Sequence, residues 1–146
     1  STVIEKHPGL DPLPTWRDSA DDADPAQFPF RLVAGARLPN ALHSRLHDVP
    51  WLRSLRPVPM ADLNDQDAAR LGVARGDLIR LSTSAGSLTV AANPTRRALP
   101  GTVWLYHGYR EADVNAIIPA GHNDPYSGFP GYRSVRCRVE KEAQER

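Results

Sequence analysis

Leu78-Ile79-Arg80-Leu81-Ser82-Thr83, Ser84-Ala85-Gly86-Ser87 and Leu88-Thr89-Val90-Ala91-Ala92 follow one another without a break, and this stretch sets the fold class. Ile79, Leu81 and Thr83 alternate with Arg80 and Ser82, the period of two that puts one strand face in a core and the other in water. Small and polar residues supply the turn, and Leu88–Ala92 returns as the second strand of a hairpin. Just upstream, Asn64-Asp65-Gln66-Asp67-Ala68-Ala69-Arg70-Leu71-Gly72 reads as a short helix. Asn64 is its N-cap, with Asp67 also in a capping role, and Gly72 is its C-terminal stop. Val73–Asp77 is then the turn that feeds the hairpin.

Further out, the same pattern recurs. Leu99-Pro100-Gly101 is a turn leading into the strand Thr102–Tyr106, and Val135, Cys137 and Val139 share one face of a final strand. Phe30, Leu32 and Ala34 alternate with Arg31 and Val33 in a first strand that ends at Gly35. Two long loops remain, Gly35 to about Val49 and Gly108 to Tyr132, both too polar for a core and of a length that is often functional. Many short strands with little helix predict a mainly β fold, a β-barrel or sandwich with short helices. Residues 1–27, rich in proline and aspartate, read as an extended lead-in with Leu10, Leu13 and Trp16 as anchors, and 28–146 as the domain. Trp51 and Trp104 are expected in the core or at an interface.

The bulk properties narrow the function. The 146 residues suffice for one domain with one core. With 18 basic and 17 acidic side chains the net charge is +1, so no global field draws in nucleic acid or an anionic membrane, and any anionic ligand is held locally. The lone Cys137 excludes an internal disulfide framework and a Cys-rich zinc or iron–sulfur site. No signal peptide or membrane segment is visible in the sequence, and the cytoplasm is the favoured compartment. A start without Met points to a fragment or processed subunit.

Three kinds of chemistry are open on residue types alone. Adjacent His43 and Ser44 suggest a small hydrolase, but neighbours in sequence present base to nucleophile poorly and no Gly-x-Ser-x-Gly elbow occurs. His43, His47, His107 and His122 offer imidazoles for a metal, with His43 and His47 spaced for one helix face, against a simple reading as solvated loop histidines. The loop after the first strand combines Gly35, Arg37, Asn40, His43 and Ser44, the backbone N–H, guanidinium and hydroxyl groups that hold a pyrophosphate, although a surface loop with arginines has the same composition.

Read in order, Phe28–Arg37, Leu42-His43-Ser44, Asn64–Asp77, Pro100-Gly101-Thr102-Val103, Val114-Asn115, Asp124-Pro125-Tyr126-Ser127-Gly128-Phe129-Pro130-Gly131-Tyr132-Arg133 and Val135–Lys141 resemble the C-terminal domain of the dimethyl-sulfoxide-reductase family of molybdopterin oxidoreductases. The resemblance covers roughly 28 to 141, and Lys6–Pro14 is similar to the linker entering that domain. It implies a double-psi β-barrel that binds and orients molybdopterin guanine dinucleotide, with molybdenum or tungsten held through the pterin dithiolenes. It also implies partner domains or a large subunit that complete the oxidoreductase, so the chain is not expected to be catalytic alone.

On this resemblance Gly35, Arg37, His43 and Ser44 belong to the first cofactor-binding loop. Asn115 matches an asparagine that hydrogen-bonds the pterin, His107 lines the pocket, and Arg133 matches a basic position where Lys is frequent. One departure concerns the first loop: the family commonly reads Gly-Arg, whereas Ala36 precedes Arg37 here. Either the turn is altered or Gly35 takes the tight position one residue early. Cys137, between Val135 and Val139, reads as a buried strand residue and not a metal ligand. A cofactor-free double-psi barrel, such as the substrate-recognition domain of an AAA chaperone, is the alternative from another functional class.

Overall fold

The computed structural model describes residues 13, 16, 23–121, 123, 124 and 127–143. Most of the expected lead-in and His122, Pro125 and Tyr126 of the expected motifs lie outside the described residues. Leu13 and Trp16, expected as anchors, are both exposed.

Six strands, β1 (Phe30–Ala36), β2 (Met60–Leu63), β3 (Leu78–Ser82), β4 (Ser87–Pro94), β5 (Thr102–Tyr106) and β6 (Val135–Lys141), close into a barrel in the order β1-β5-β2-β4-β3-β6. β1 runs parallel to β5 and β2 parallel to β4, and the other neighbours are antiparallel. Closure leaves no strand edge among these six to attract another chain. This is the mainly β class that the strand pattern predicts, in the double-psi barrel form that the family resemblance implies. The inward residues of each strand fill it: Leu32, Leu63, Ile79, Leu81, Val90, Val103, Leu105, Val135 and Cys137 are at most 2% exposed. Each such Leu or Val contributes about 1.5–3 kcal/mol by leaving water.

The hairpin forms as read, with Ile79 opposite Val90 and Leu81 opposite Leu88. The helix also forms, as α2 (Asp65–Arg70); the Asn64 side chain accepts from the Gln66 N–H at its N-cap. Asp67 differs from expectation. It is 1% exposed, pairs with Arg70 through Oδ1, and accepts the Gly101 N–H through Oδ2 at 2.6 Å. Its role is to tie the helix to the turn before β5, not to cap.

Three elements escaped the pattern reading: β2, α1 (Pro50–Arg53) and a 3-10 helix at Val114–Ile117. β2 is four residues, Met60-Ala61-Asp62-Leu63, behind Pro57-Val58-Pro59, too short for a period of two to register. Yet Ala61 and Leu63 are wholly buried, and the strand joins β5 to β4. Trp51, 70% exposed on α1, and Trp104, 37% exposed on β5, both stay out of the core. Among the described residues no helix is long and apolar enough to cross a membrane.

Candidate functional site

The barrel's topology brings three segments to one place. β1 and β5 are parallel with Ala36 opposite Tyr106, so the loops that follow them start side by side. β6 is antiparallel to β1, with Val135 opposite Leu32, so the chain entering β6 arrives at the same end. Between these segments lies a cavity of about 1020 Å³, and Gly35, Arg37, His43, Ser44, His107, Asn115 and Arg133 all line it.

The first wall leaves β1 through a bulge. The β1–β5 register shifts between Ala34 and Ala36, and Gly35 carries the positive φ of 81° that the shift requires. The tight position thus falls on Gly35, one residue before Ala36, and β1 runs one residue past the expected end. The segment holding His43 and His47 is loop, not helix, and His43 itself has φ 56°. Such a conformation costs a non-glycine residue energy unless neighbours enforce it. The neighbour is His47, 6% exposed, whose Nε2 donates to the His43 carbonyl at 3.0 Å and whose ring meets Tyr109 edge-on at 4.9 Å.

Gly108 makes room for this arrangement. At φ 104°, an added Cβ would lie 2.4 Å from His47 Nε2 and 2.5 Å from the His43 oxygen. His43 Nδ1 and His107 Nε2 then share a hydrogen bond at 3.1 Å, one ring donating and the other accepting. His107 Nδ1 is buried without a partner among the described residues. Burial, then the adjacent His43 and the charge of Arg37, hold the His107 pKa below its ordinary value despite backbone carbonyls at Ala36 and Gly35.

The second wall is a 3-10 helix, Val114–Ile117, inside the long connection from β5 to β6. Asp113 caps it, its Oδ1 accepting from the Asn115 N–H at 3.0 Å and from Nδ2 at 2.9 Å. Val114 and Ile117 point into the core, which leaves Asn115 exposed at the cavity. Its Oδ1 accepts the Tyr132 hydroxyl at 2.9 Å, and Tyr132 in turn stacks edge-on with Phe129. Asp124 forms the turn expected of it, its Oδ1 accepting from the Ser127 N–H and hydroxyl, both at 2.7 Å.

Charge on the cavity wall is partly spent. Arg53 pairs with Glu111 and lies 4.7 Å from the centre of the Tyr109 ring, and Arg110 pairs with Asp48 at 3.5 Å. Against the upward push of burial, hydrogen bonds from its own backbone and from Arg53 keep the Glu111 carboxyl below its ordinary range. Arg37 and Arg133 have no acidic partner among the described residues. Two guanidiniums without an acidic partner among the described residues and a serine hydroxyl lining the same cavity form a donor set suited to a pyrophosphate.

Among the described residues the groups of the other chemistries are not brought together. His43 bonds to His107, and no hydrogen bond joins it to Ser44 among the described residues. Nor does any group of three or more His, Cys, Asp or Glu there come together to hold a metal ion. Sequence reasoning missed His47, Gly108 and Tyr132 as shapers of the site, and Arg53, Glu111 and Asp113 as its charged lining. Asp113 directly precedes Val114-Asn115 and had a cap-residue signal that could have been read.

Among curated relatives, dopamine dehydroxylase of Eggerthella lenta is 29% identical over 99% of this chain and 16% of its own length. Acetylene hydratase of Syntrophotalea acetylenica is 30% identical over 90% of this chain and 18% of its own. The solved structure of acetylene hydratase from Pelobacter acetylenicus superposes with a TM-score of 0.85 at 25% identity, over 97% of this chain and 23% of that one. The chain therefore spans about a sixth of the length of the first curated relatives it matches. Residues 30–136 match the family described as Molydopterin dinucleotide binding domain. That match spans well over half the chain, which belongs to this family.

Proposed function

We propose that residues 28–146 bind and orient a molybdopterin guanine dinucleotide, as the C-terminal domain or a split subunit of a larger molybdenum or tungsten oxidoreductase. The remaining domains or large subunit of that enzyme are the partner. The observation that carries this reading is the convergence of seven residues from three segments on one cavity, two of them guanidiniums with no acidic partner among the described residues.

The donor set fits the cofactor. Arg37 and Arg133 neutralise a pyrophosphate and the Ser44 hydroxyl donates to it, while the Asn115 amide reads a heterocycle edge. The guanine moiety follows from the family resemblance; the cavity carboxylates Asp48, Glu111 and Asp113 already engage Arg110, Arg53 and Asn115. When bound, the cofactor supplies the metal centre and its dithiolene sulfurs for redox chemistry. This chain's residues hold the cofactor, fix its orientation and exclude water. Cys137 is wholly buried and does not line the cavity, and turnover is expected to need the partner domains.

Equilibrium titration of the 146-residue chain with guanosine diphosphate tests the reading. Binding is expected to weaken with added salt and to exceed that of cytidine diphosphate. Arg37→Ala should cost about tenfold or more in affinity, the worth of a charge-assisted hydrogen bond. Equal affinity in wild type and Arg37→Ala, or no binding at about millimolar nucleotide, overturns it.

A further inference from the structure

The β3–β4 turn lies outside the cavity, yet it makes two unusual contacts with the wall that carries Asn115. Thr83 is 7% exposed, and its hydroxyl donates to the Ile117 carbonyl at 2.8 Å, across 34 residues of sequence. The same oxygen accepts the Ala85 N–H at 3.1 Å, and the Thr83 N–H donates to the Gly86 carbonyl at 2.8 Å, so turn and hydroxyl are one rigid unit. Gly86 lies against the preceding residue of the same helix: a Cβ there would lie 2.8 Å from the Ala116 carbonyl oxygen. Its φ is not positive, so space and not backbone freedom demands the glycine.

A 3-10 helix of this length has little stability of its own, because one turn makes few hydrogen bonds. Its C-terminal carbonyls are also unsatisfied by the helix itself. At Ile117 a side chain from a different part of the barrel fills that need.

We infer that the β3–β4 turn, through the Thr83 hydroxyl and the bare Cα of Gly86, sets the position of Asn115 and hence the shape of the second cavity wall. Thr83 and Gly86 are positioning residues for the cavity and touch nothing bound there. The contribution to ligand affinity rests on the function proposed above, whereas the effect on Asn115 does not.

The test is proton–nitrogen NMR of the 146-residue chain, following the Asn115 side-chain amide and hydrogen exchange at 114–117, with guanosine diphosphate titrations alongside. Thr83→Val keeps the shape and removes the hydroxyl. It should shift the Asn115 amide signals, speed exchange at 114–117 relative to the strands, and weaken nucleotide binding about three- to tenfold, the net worth of one buried hydrogen bond. Thr83→Ser should restore all of these. Gly86→Ala should shift the same Asn115 signals by intrusion on the Ala116 carbonyl, and serves if Thr83→Val does not fold. Unmoved Asn115 signals and unchanged exchange in a folded variant overturn the inference. If the wild type binds no nucleotide, the proposed function falls while the Asn115 signals still decide the role of the turn.

Discussion

The barrel and the walls of its cavity are held together by different physics. In the barrel, large apolar side chains such as Leu32, Leu81 and Leu105 are wholly buried, and every strand pairs on both sides. In the walls, position depends on single polar contacts between segments: His47 to the His43 carbonyl, Tyr132 to Asn115, Thr83 to the Ile117 carbonyl. A buried Leu is worth about 1.5–3 kcal/mol and a net hydrogen bond about 1. The barrel should therefore govern whether the chain folds, and the walls whether the cavity has its shape.

The largest effect is expected in the barrel. Leu105 on β5 lies between β1 and β2 and is wholly buried, and Leu105→Ala should cost about 2–5 kcal/mol through lost burial and the cavity left behind. Urea unfolding monitored by circular dichroism measures it. A loss below about 1 kcal/mol, within the range of one polar contact, would break the contrast between the two regions.

Gly108→Ala is next, and it probes the boundary where β5 hands over to the cavity wall. The added methyl meets His47 Nε2 and the His43 carbonyl at distances no packing tolerates, at a φ that disfavours side chains. We expect a cost of about 1–3 kcal/mol. More informative is its locality: the His43–His107 hydrogen bond should break, seen as displaced imidazole signals in NMR, while amide exchange in β3, β4 and β6 stays protected. Uniform loss of protection across the barrel would show that the walls are not separable from it.

This division also explains what could be read from the sequence. The β3–β4 hairpin, α2 and β6 were legible because burial imposes a local period or a cap, as in Ile79, Leu81 and Thr83, in Asn64, and in Val135, Cys137 and Val139. β2 was not, since its two buried residues, Ala61 and Leu63, give no period to detect, and its place is set by β5 and β4. For the site, residue types that suit an anion and the order of motifs identified the residues that line the cavity. The supports were hidden, because Gly108 and Thr83 act on partners that the fold brings near, and His47 acts on a loop carbonyl that carries no periodic signal. His47 even invited a wrong reading, a helix face shared with His43, whereas its ring holds His43 in a left-handed turn.

A smaller effect should appear with pH, and it belongs to the walls alone. Below an ordinary histidine value of 6.5 the unfolded chain takes up a proton at His107, while burial, then the neighbouring His43, hold the folded imidazole's pKa below that value, so it is protonated less. The unfolded state then binds more protons, so stability falls as pH drops through 6.5 and is fully present above it. Asp77, held down mainly by Lys141, and Glu142, held down mainly by Arg80, lose their contributions only as pH falls below the ordinary carboxylate values of 3.8 and 4.5. Urea midpoints between about pH 5.5 and 7.5 thus separate the histidine range from these carboxylates, and comparison with a His107 variant singles out this imidazole. His107→Gln should flatten the decline, and Leu105→Ala should lower the whole curve without changing its slope, because an apolar barrel residue carries no proton. A steeper decline in Leu105→Ala, or an unchanged one in His107→Gln, would mean that the titrating group lies elsewhere and that barrel and walls share one electrostatic response.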